Sequence, residues 1–431
     1  MAGDQYPTCL SAAEARQLRY RITEEKGNMP CNVALADTKV YEPAPTPLDP
    51  ATTERFSIAP MMDYTDRHFR YLLRMITKKA WLYTEMVTSE AVRLEIIHGD
   101  SDRFLNYNCE IEHPVALQLG GSSPESLAAA VKIALRYNYD AINLNCGCPS
   151  DKVSGKGCFG AALMREPELT QELCKNMFEA ARSGASPSSS STITPSPPPV
   201  TVKCRIGVDD NDSYEDLRHF VETLEKAGIT HFIIHARKAI LNMKLTPKQN
   251  RDIPPLRYEI VHKLARDLPH LTFVLNGGVK SYEETEKCLN SGSGVVGVMV
   301  GREILNRPWY WGDVDRRLYG AENPGISRRE ILGNYSNYAT HEMAAHPKLG
   351  LGTILKPIQN LFIGERGARI LNQTFGEYPS SCTHTLSMGS GYASVRYRRV
   401  LAEMSAKKFP VQDIIRNATA CIGDEDLDKR W

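Results

Sequence analysis

TFVLNGGVKSYEETEKCLNSGSGVVGVMVGRE, residues 272–303, holds the pattern from which the fold is read. Two short apolar runs, TFVLNGG (272–278) and VVGVMVG (295–301), flank a helix-like stretch, and each ends on glycine where a strand gives way to a loop. Working back along the chain, similar runs recur at HFIIHAR (231–237), TVKCRIG (201–207), DAINLNC (140–146), PVALQLG (114–120), WLYTEM (81–86) and FSIAPM (56–61). Several are nearly continuous apolar, as strands covered on both faces should be. Amphipathic segments lie between them. SPESLAAAVKIALRYN (123–138) opens with Ser123, Pro124 and Glu125, a helix-start pattern. Alternating β and α units, eight of each over about 250 residues, describe a TIM (β/α)8 barrel, with a doubly wound parallel sheet as the structural alternative.

The chain has 431 residues, 42% hydrophobic and 24% charged, enough for a barrel plus a smaller domain. Residues 1–54 read as an N-terminal extension and 55–325 as the barrel. SGASPSSSSTITPSPPP (183–199) is a Ser/Pro-rich flexible insertion within it. Residues 326–431 read as a smaller all-helical C-terminal domain, with an insertion near 378–391. No run approaches 18 apolar residues, so no membrane association is expected. The first 50 residues lack an apolar signal core and carry Asp4, Glu14, Glu24 and Glu25, which points to the cytoplasm. Eleven cysteines, an odd number at irregular spacing without CxxC, suit a reducing compartment better than a disulfide framework. With no second Cys or His pair at ligand spacing, no metal is expected. Nothing calls for an obligate protein partner. Net charge is only +1, but 326–420 carries 12 Lys and Arg against 6 Asp and Glu, a local basic excess.

In a TIM barrel the chemistry sits at the C-terminal ends of the strands. Here those ends are Pro60 with Met61, Glu85, Gln118, Asn145 with Cys148 just beyond, Lys203 with Arg205, His235 with Arg237, Asn276 with Gly277 and Gly278, and Gly301 with Arg302. The last two ends place glycines and an arginine where this fold often holds a phosphate. Lys203 is either a cation for an anionic ring or a solvated strand-end lysine. Gln118 offers an amide to a heterocycle edge. Phosphate clamp, cation and amide together suggest flavin mononucleotide. The two thiols of LNCGCPSDKV (144–153) leave open a ligand pair, a redox pair, or one acid beside a bystander.

These residues carry a resemblance. APMMDYTDRHFR (59–70), LYTEMVT (82–88), HPVALQLGG (113–121), INLNCGCPSDKV (142–153), FGAALM (159–164), VKCRIGVDDNDSYE (202–215), FIIHARKA (232–239), NRDIPPL (250–256), LNGG (275–278) and VMVGRE (298–303) follow the pattern of the tRNA-dihydrouridine synthases in order. The chain resembles their A-type subgroup most. The resemblance implies an FMN-binding barrel that NADPH (or NADH) reduces and that in turn reduces the C5–C6 double bond of uridine in tRNA, at positions 20 and 20a of the D-loop. It implies that Cys148 is the acid that protonates C5, with Cys146 a packing residue. Gln118 and Lys203 are implied to contact the flavin ring, and His235 to lie by flavin and substrate. Asn276, Gly278, Gly301 and Arg302 fall at the phosphate end. Asn145 either faces the uracil or caps its loop. Arg205 and Arg237 either contact RNA or form internal ion pairs. Lys356, Arg366, Arg369, Arg396, Arg398 and Arg399 are the candidate cations for tRNA phosphates, although 353–375 departs from the subgroup at positions usually basic or His. Two other functions remain from the sequence alone: an FMN barrel reducing a small molecule, which free uridine turnover would reveal, and a tRNA-binding protein without catalysis.

Overall fold

Among the described residues, nine strands make one parallel sheet: β1 (Phe56–Ile58), β2 (Leu82–Tyr83), β3 (Val87–Thr88), β4 (Val115–Gly120), β5 (Ala141–Cys146), β6 (Val200–Arg205), β7 (His231–His235), β8 (Thr272–Asn276) and β9 (Val295–Val300). The computed structural model describes residues 49–98, 102–155, 157–183, 196–369, 371 and 410–431. Most of the N-terminal extension, 184–195 of the Ser/Pro segment, the 378–391 stretch, and Arg396, Arg398 and Arg399 lie outside them.

The strand order is β1-β9-β8-β7-β6-β5-β4-β2, with β3 also on β4. The ring closes through a parallel bridge between Ser57 and Trp81. There the Ile58 N–H donates to the Trp81 carbonyl at 2.9 Å and the Trp81 N–H to the Phe56 carbonyl at 3.0 Å. Closure without edges is a TIM barrel and sets the open doubly wound sheet aside. Helices Pro124–Ala134, Pro167–Ser183, Tyr214–Glu225, Tyr258–Asp267 and Tyr282–Leu289 separate the successive strands from β4 to β9. Their starts are written locally: Ser123 caps the first, and Ser213 with Asp216 forms a reciprocal capping box on the third.

β2 and β3 share one place in the barrel. Leu82 and Tyr83 pair with Val115 and Ala116, and Val87 and Thr88 with Leu119 and Gly120, so three residues on one side oppose two of β4. This bulge carries Glu85, whose carboxylate accepts the Asp63 N–H from the loop after β1.

Alternate residues fill the barrel. Trp81, Tyr83, Ala116, Ala141, Ile233, Val274 and Met299, all at 0% exposure, form one cluster with Ala59. Below it the N-terminal end is closed by polar groups. Glu54, buried although it was expected in an extension, accepts from the Tyr83 hydroxyl at 2.9 Å and lies 2.9 Å from His231 Nε2. His231 Nδ1 is in turn 2.8 Å from the Thr272 hydroxyl.

The described residues form two compact units. The first comprises residues up to Arg67 with Ala80–Gly301; the second comprises His68–Lys79 with Arg302–Trp431. The expected boundary at 325 thus falls inside the second unit, between helices Val314–Tyr319 and Arg328–Ala345. No strand follows β9 among the described residues. Within this unit Tyr71 stacks on Tyr338 with centroids 3.9 Å apart, and Asp315 accepts from the Thr77 hydroxyl at 2.5 Å and the Lys78 N–H at 2.6 Å. Arg328 is almost fully buried; it donates to Glu365 and to the Asp426 carbonyl, each at 2.8 Å, under the Trp309 and Phe362 rings.

Candidate active site at the mouth of the barrel

Register assembles the site. Gln118 pairs with Asn143, Asn145 with Lys203, Arg205 with His235, and His235 with Asn276. Side chains alternate along a strand, so these residues face inward together while Cys146 and Cys204, a register pair themselves, face the helices. Cys146 is fully buried beside Cys204 and Cys174, and that burial pushes its thiol far up.

Cys148 sits just past β5, half-buried, in a loop held at both ends of its peptide. The Asn145 side-chain oxygen accepts from the N–H of Gly147 at 3.0 Å and of Cys148 at 2.9 Å. The Cys148 carbonyl accepts from the Ala161 N–H at 2.9 Å and the Ser154 hydroxyl at 2.5 Å. Asn145 therefore caps its loop. Its amide nitrogen meanwhile donates to Gln118 at 2.8 Å, and Gln118 donates to Asn143 at 2.8 Å. Burial raises the Cys148 thiol above its ordinary range, with the Ser150 backbone N–H and then Arg205, Arg251 and Lys203 pulling the other way. The thiol is thus protonated at neutral pH, the state of a proton donor rather than a nucleophile.

Lys203 donates to the Asn276 side-chain oxygen at 3.0 Å, and the Asn276 amide nitrogen to the Met299 carbonyl at 2.8 Å. Burial, then Arg205, brings the Lys203 ammonium down to about 8. It is not a solvated strand-end lysine. Arg205, 2% exposed, donates to three backbone carbonyls: Gly147 at 2.9 Å, Lys238 at 2.9 Å and Asn250 at 3.1 Å. It ties the loops after β5 and β7 together. Arg237 donates to the Pro254 carbonyl. Burial and the surrounding cations Arg205, Lys203, Arg237 and Arg251 hold His235 well below the usual histidine range, so it is neutral at neutral pH.

Gly277 and Gly278 follow β8 with φ of +117° and +74°. A Cβ on Gly277 would lie 2.5 Å from the His235 ring, and one on Gly278 2.4 Å from Leu256. Both the left-handed backbone and the close approach require glycine here. The result is a pair of bare peptide units beside a cation-rich wall, a cradle that fits a phosphate and an electron-rich ring. Gly301 follows β9, where a Cβ on it would lie 3.6 Å from Ala59 and 3.7 Å from Met61. Pro60 and Met61 are half-buried, and Met61 is steadied by the Thr65 hydroxyl at 2.9 Å from its N–H.

The model of the dihydrouridine synthase family matches residues 57–383. The chain belongs to the dihydrouridine synthase family. It is 46% identical over 316 residues to the tRNA-dihydrouridine(20/20a) synthase of Vibrio vulnificus, covering 73% of this chain and 88% of that one. It is 42% identical over 354 residues to the protein of the same name from Synechocystis, covering 82% and 95%. With the one from Vibrio parahaemolyticus, identity is 47% over 316 residues. As a dihydrouridine synthase the chain is a flavin-dependent, tRNA-modifying enzyme. Among the described residues no helix is long and apolar enough to cross a membrane, and no group of His, Cys, Asp and Glu could hold a metal ion.

Two residues of this dihydrouridine synthase were missed in the sequence. Arg251 acts on Cys148, Arg205 and His235 together. Its signal was the NRDIPPL motif (250–256). Asn143 was read as one letter of an apolar run, yet it is 0% exposed and bonded on both sides. In the second unit, Arg302 opens helix Arg302–Asn306, Arg366 and Arg369 are exposed, and Lys356 is half-buried.

Proposed function

We propose that this enzyme reduces uridines 20 and 20a in the tRNA D-loop, in the cytoplasm, with FMN as the flavin and NADPH or NADH as reductant. The choice of positions rests on the names of relatives 42–47% identical to it. The observation that supports the chemistry best is the Cys148 thiol, protonated by burial on a residue whose backbone N–H Asn145 holds at the mouth.

The residues present fit FMN. Gly277, Gly278 and Gly301 offer backbone to its phosphate, with Arg302 next in the chain, while Gln118, Lys203 and neutral His235 surround a ring and Asn276 holds Lys203 in place. Pro60 and Met61 supply an apolar edge. Bound there, the flavin supplies hydride to C6 of the uracil. The charge left at C5 is quenched by the proton of Cys148. Asn145 retains one amide hydrogen for the uracil after its loop and Gln118 are satisfied. The target base must leave its stack to reach this depth. The rest of the tRNA then depends on phosphate contacts from cations of the second unit, Arg366 and Arg369 above all, with Lys356 beside them.

Position-resolved mapping of dihydrouridine in tRNA from cells lacking the protein tests the reading. Uridine should persist at 20 and 20a, and complementation by the Cys148→Ala variant should not restore it. Loss of dihydrouridine at other positions alone would refute the assignment.

A further inference from the structure

The amides behind Cys148 form a chain whose polarity has one solution. Backbone N–H groups only donate, so the Asn145 atom that meets Gly147 and Cys148 at 3.0 and 2.9 Å is an oxygen. Its other end is then an NH2, and the Gln118 atom 2.8 Å away is an oxygen too. By the same logic Gln118 presents nitrogen to the Asn143 oxygen at 2.8 Å, and Asn143 presents nitrogen to the Thr201 hydroxyl at 2.9 Å. Turning any one amide over sets donor against donor or acceptor against acceptor. Gln118 is 1% exposed and Asn143 and Thr201 are 0% exposed, so water cannot repair a mismatch.

We propose that Asn143 and Thr201 are positioning residues for proton delivery: by closing this chain they hold Asn145, through Gln118, in the one orientation that pins the 147–148 loop and its thiol. The proposal rests on the reading of Cys148 as the proton donor. Thr201 is the terminal acceptor. Without its hydroxyl, the Asn143 nitrogen loses its partner and nothing holds that amide's orientation from the Thr201 side; whenever Asn143 turns, it faces Gln118 with the wrong end. Gln118 and Asn145 must then turn in sequence, and the loop N–H groups lose their acceptor.

The test compares Thr201→Val, which keeps the shape and removes the hydroxyl, with Thr201→Ser, which keeps the hydroxyl. On the FMN-loaded enzyme, amide hydrogen exchange at Gly147 and Cys148 and reoxidation by unmodified tRNA are followed in parallel with flavin reduction by NADPH. In the valine variant exchange should rise about 10-fold and reoxidation should slow about 10-fold, with reduction by NADPH unchanged. The serine variant should behave as wild type throughout. Unchanged exchange in the valine variant, equal damage in the serine variant, or faster exchange with wild-type reoxidation each overturns the proposal. If the valine variant does not fold, Thr201→Ala removes the same hydroxyl at smaller volume and is judged the same way. Should tRNA fail to reoxidise even the wild-type enzyme, the activity reading falls, and the exchange arm still decides the pinning.

Discussion

Cys146 and Cys148 stand two residues apart and occupy different chemical worlds. One faces the helix layer among other thiols; the other lies at the mouth under three cations. Cys148→Ala should keep flavin, its reduction by NADPH and tRNA binding, yet lose uracil reduction by about 10²–10⁴-fold. Cys146→Ala should cost stability alone, through packing. Single-turnover reoxidation by tRNA separates them, and a dead Cys146→Ala variant would reverse the assignment. Lys203 makes a different, titratable prediction. Its ammonium is disfavoured in the fold, down to about 8 from 10.5, so it costs stability while folded and unfolded chains are both protonated. That cost is complete below about 8 and fades as pH rises from there towards the ordinary lysine value. Lys203→Met should therefore stabilise the flavin-free protein by about 2 kcal/mol near pH 7 and by progressively less towards pH 10. Denaturant midpoints for both proteins across that range show it, and a difference that grows with pH would rule it out.

At the scale of elements, Gly160 packs directly on the carbonyl of Cys148. Gly160 has φ of +67°, and a Cβ there would lie 2.6 Å from Val153 and 2.7 Å from the Cys148 carbonyl. Gly160→Ala should lower tRNA-driven reoxidation by about 10-fold or more by shifting that carbonyl, while flavin content stays unchanged because the cradle is on other strands. A loss of flavin instead would place the damage elsewhere. The strands and their ends were legible because an all-parallel barrel writes apolar runs that stop at glycine or a polar residue. Positions at the mouth were legible where strand ends mark them, as with the Cys148 loop after β5, the glycine pair after β8 and Lys203, while the role of Cys148 was implied by the resemblance alone. The site was not legible where distant loops meet. Nothing in the spacing of Arg205 tells that Gly147, Lys238 and Asn250 bring carbonyls to it. Asn143 and Glu54 were missed for a related reason, since an inward polar residue in an apolar strand, or just before one, looks like a break in pattern until its partners are known.

The whole molecule adds a basic unit to a nearly neutral chain. Counted to the C-terminus, the excess after 326 is 14 Lys and Arg against 10 Asp and Glu, smaller than the count to 420 implied, because 424–428 is acidic. Those acids hold Arg329 at 2.5 Å from Asp424 and 2.6 Å from Asp428. Exposed Arg366 and Arg369 carry the RNA prediction: changing both to Ala should weaken tRNA binding and reduce its salt dependence by about two counterions, with flavin content unaltered. An unaltered salt slope would place the RNA contacts elsewhere. The floor of the barrel bears on the order of events. Among the described residues Glu54, Tyr83 and His231 close the far end beneath a plug of buried side chains, so on the proposed reading the nicotinamide and the nucleoside share the mouth at the C-terminal ends of the strands. Two visitors to one doorway must alternate. Steady-state rates measured against both substrates should give parallel double-reciprocal lines, and an excess of either should inhibit by competing with the other; intersecting lines would mean that a second entrance exists.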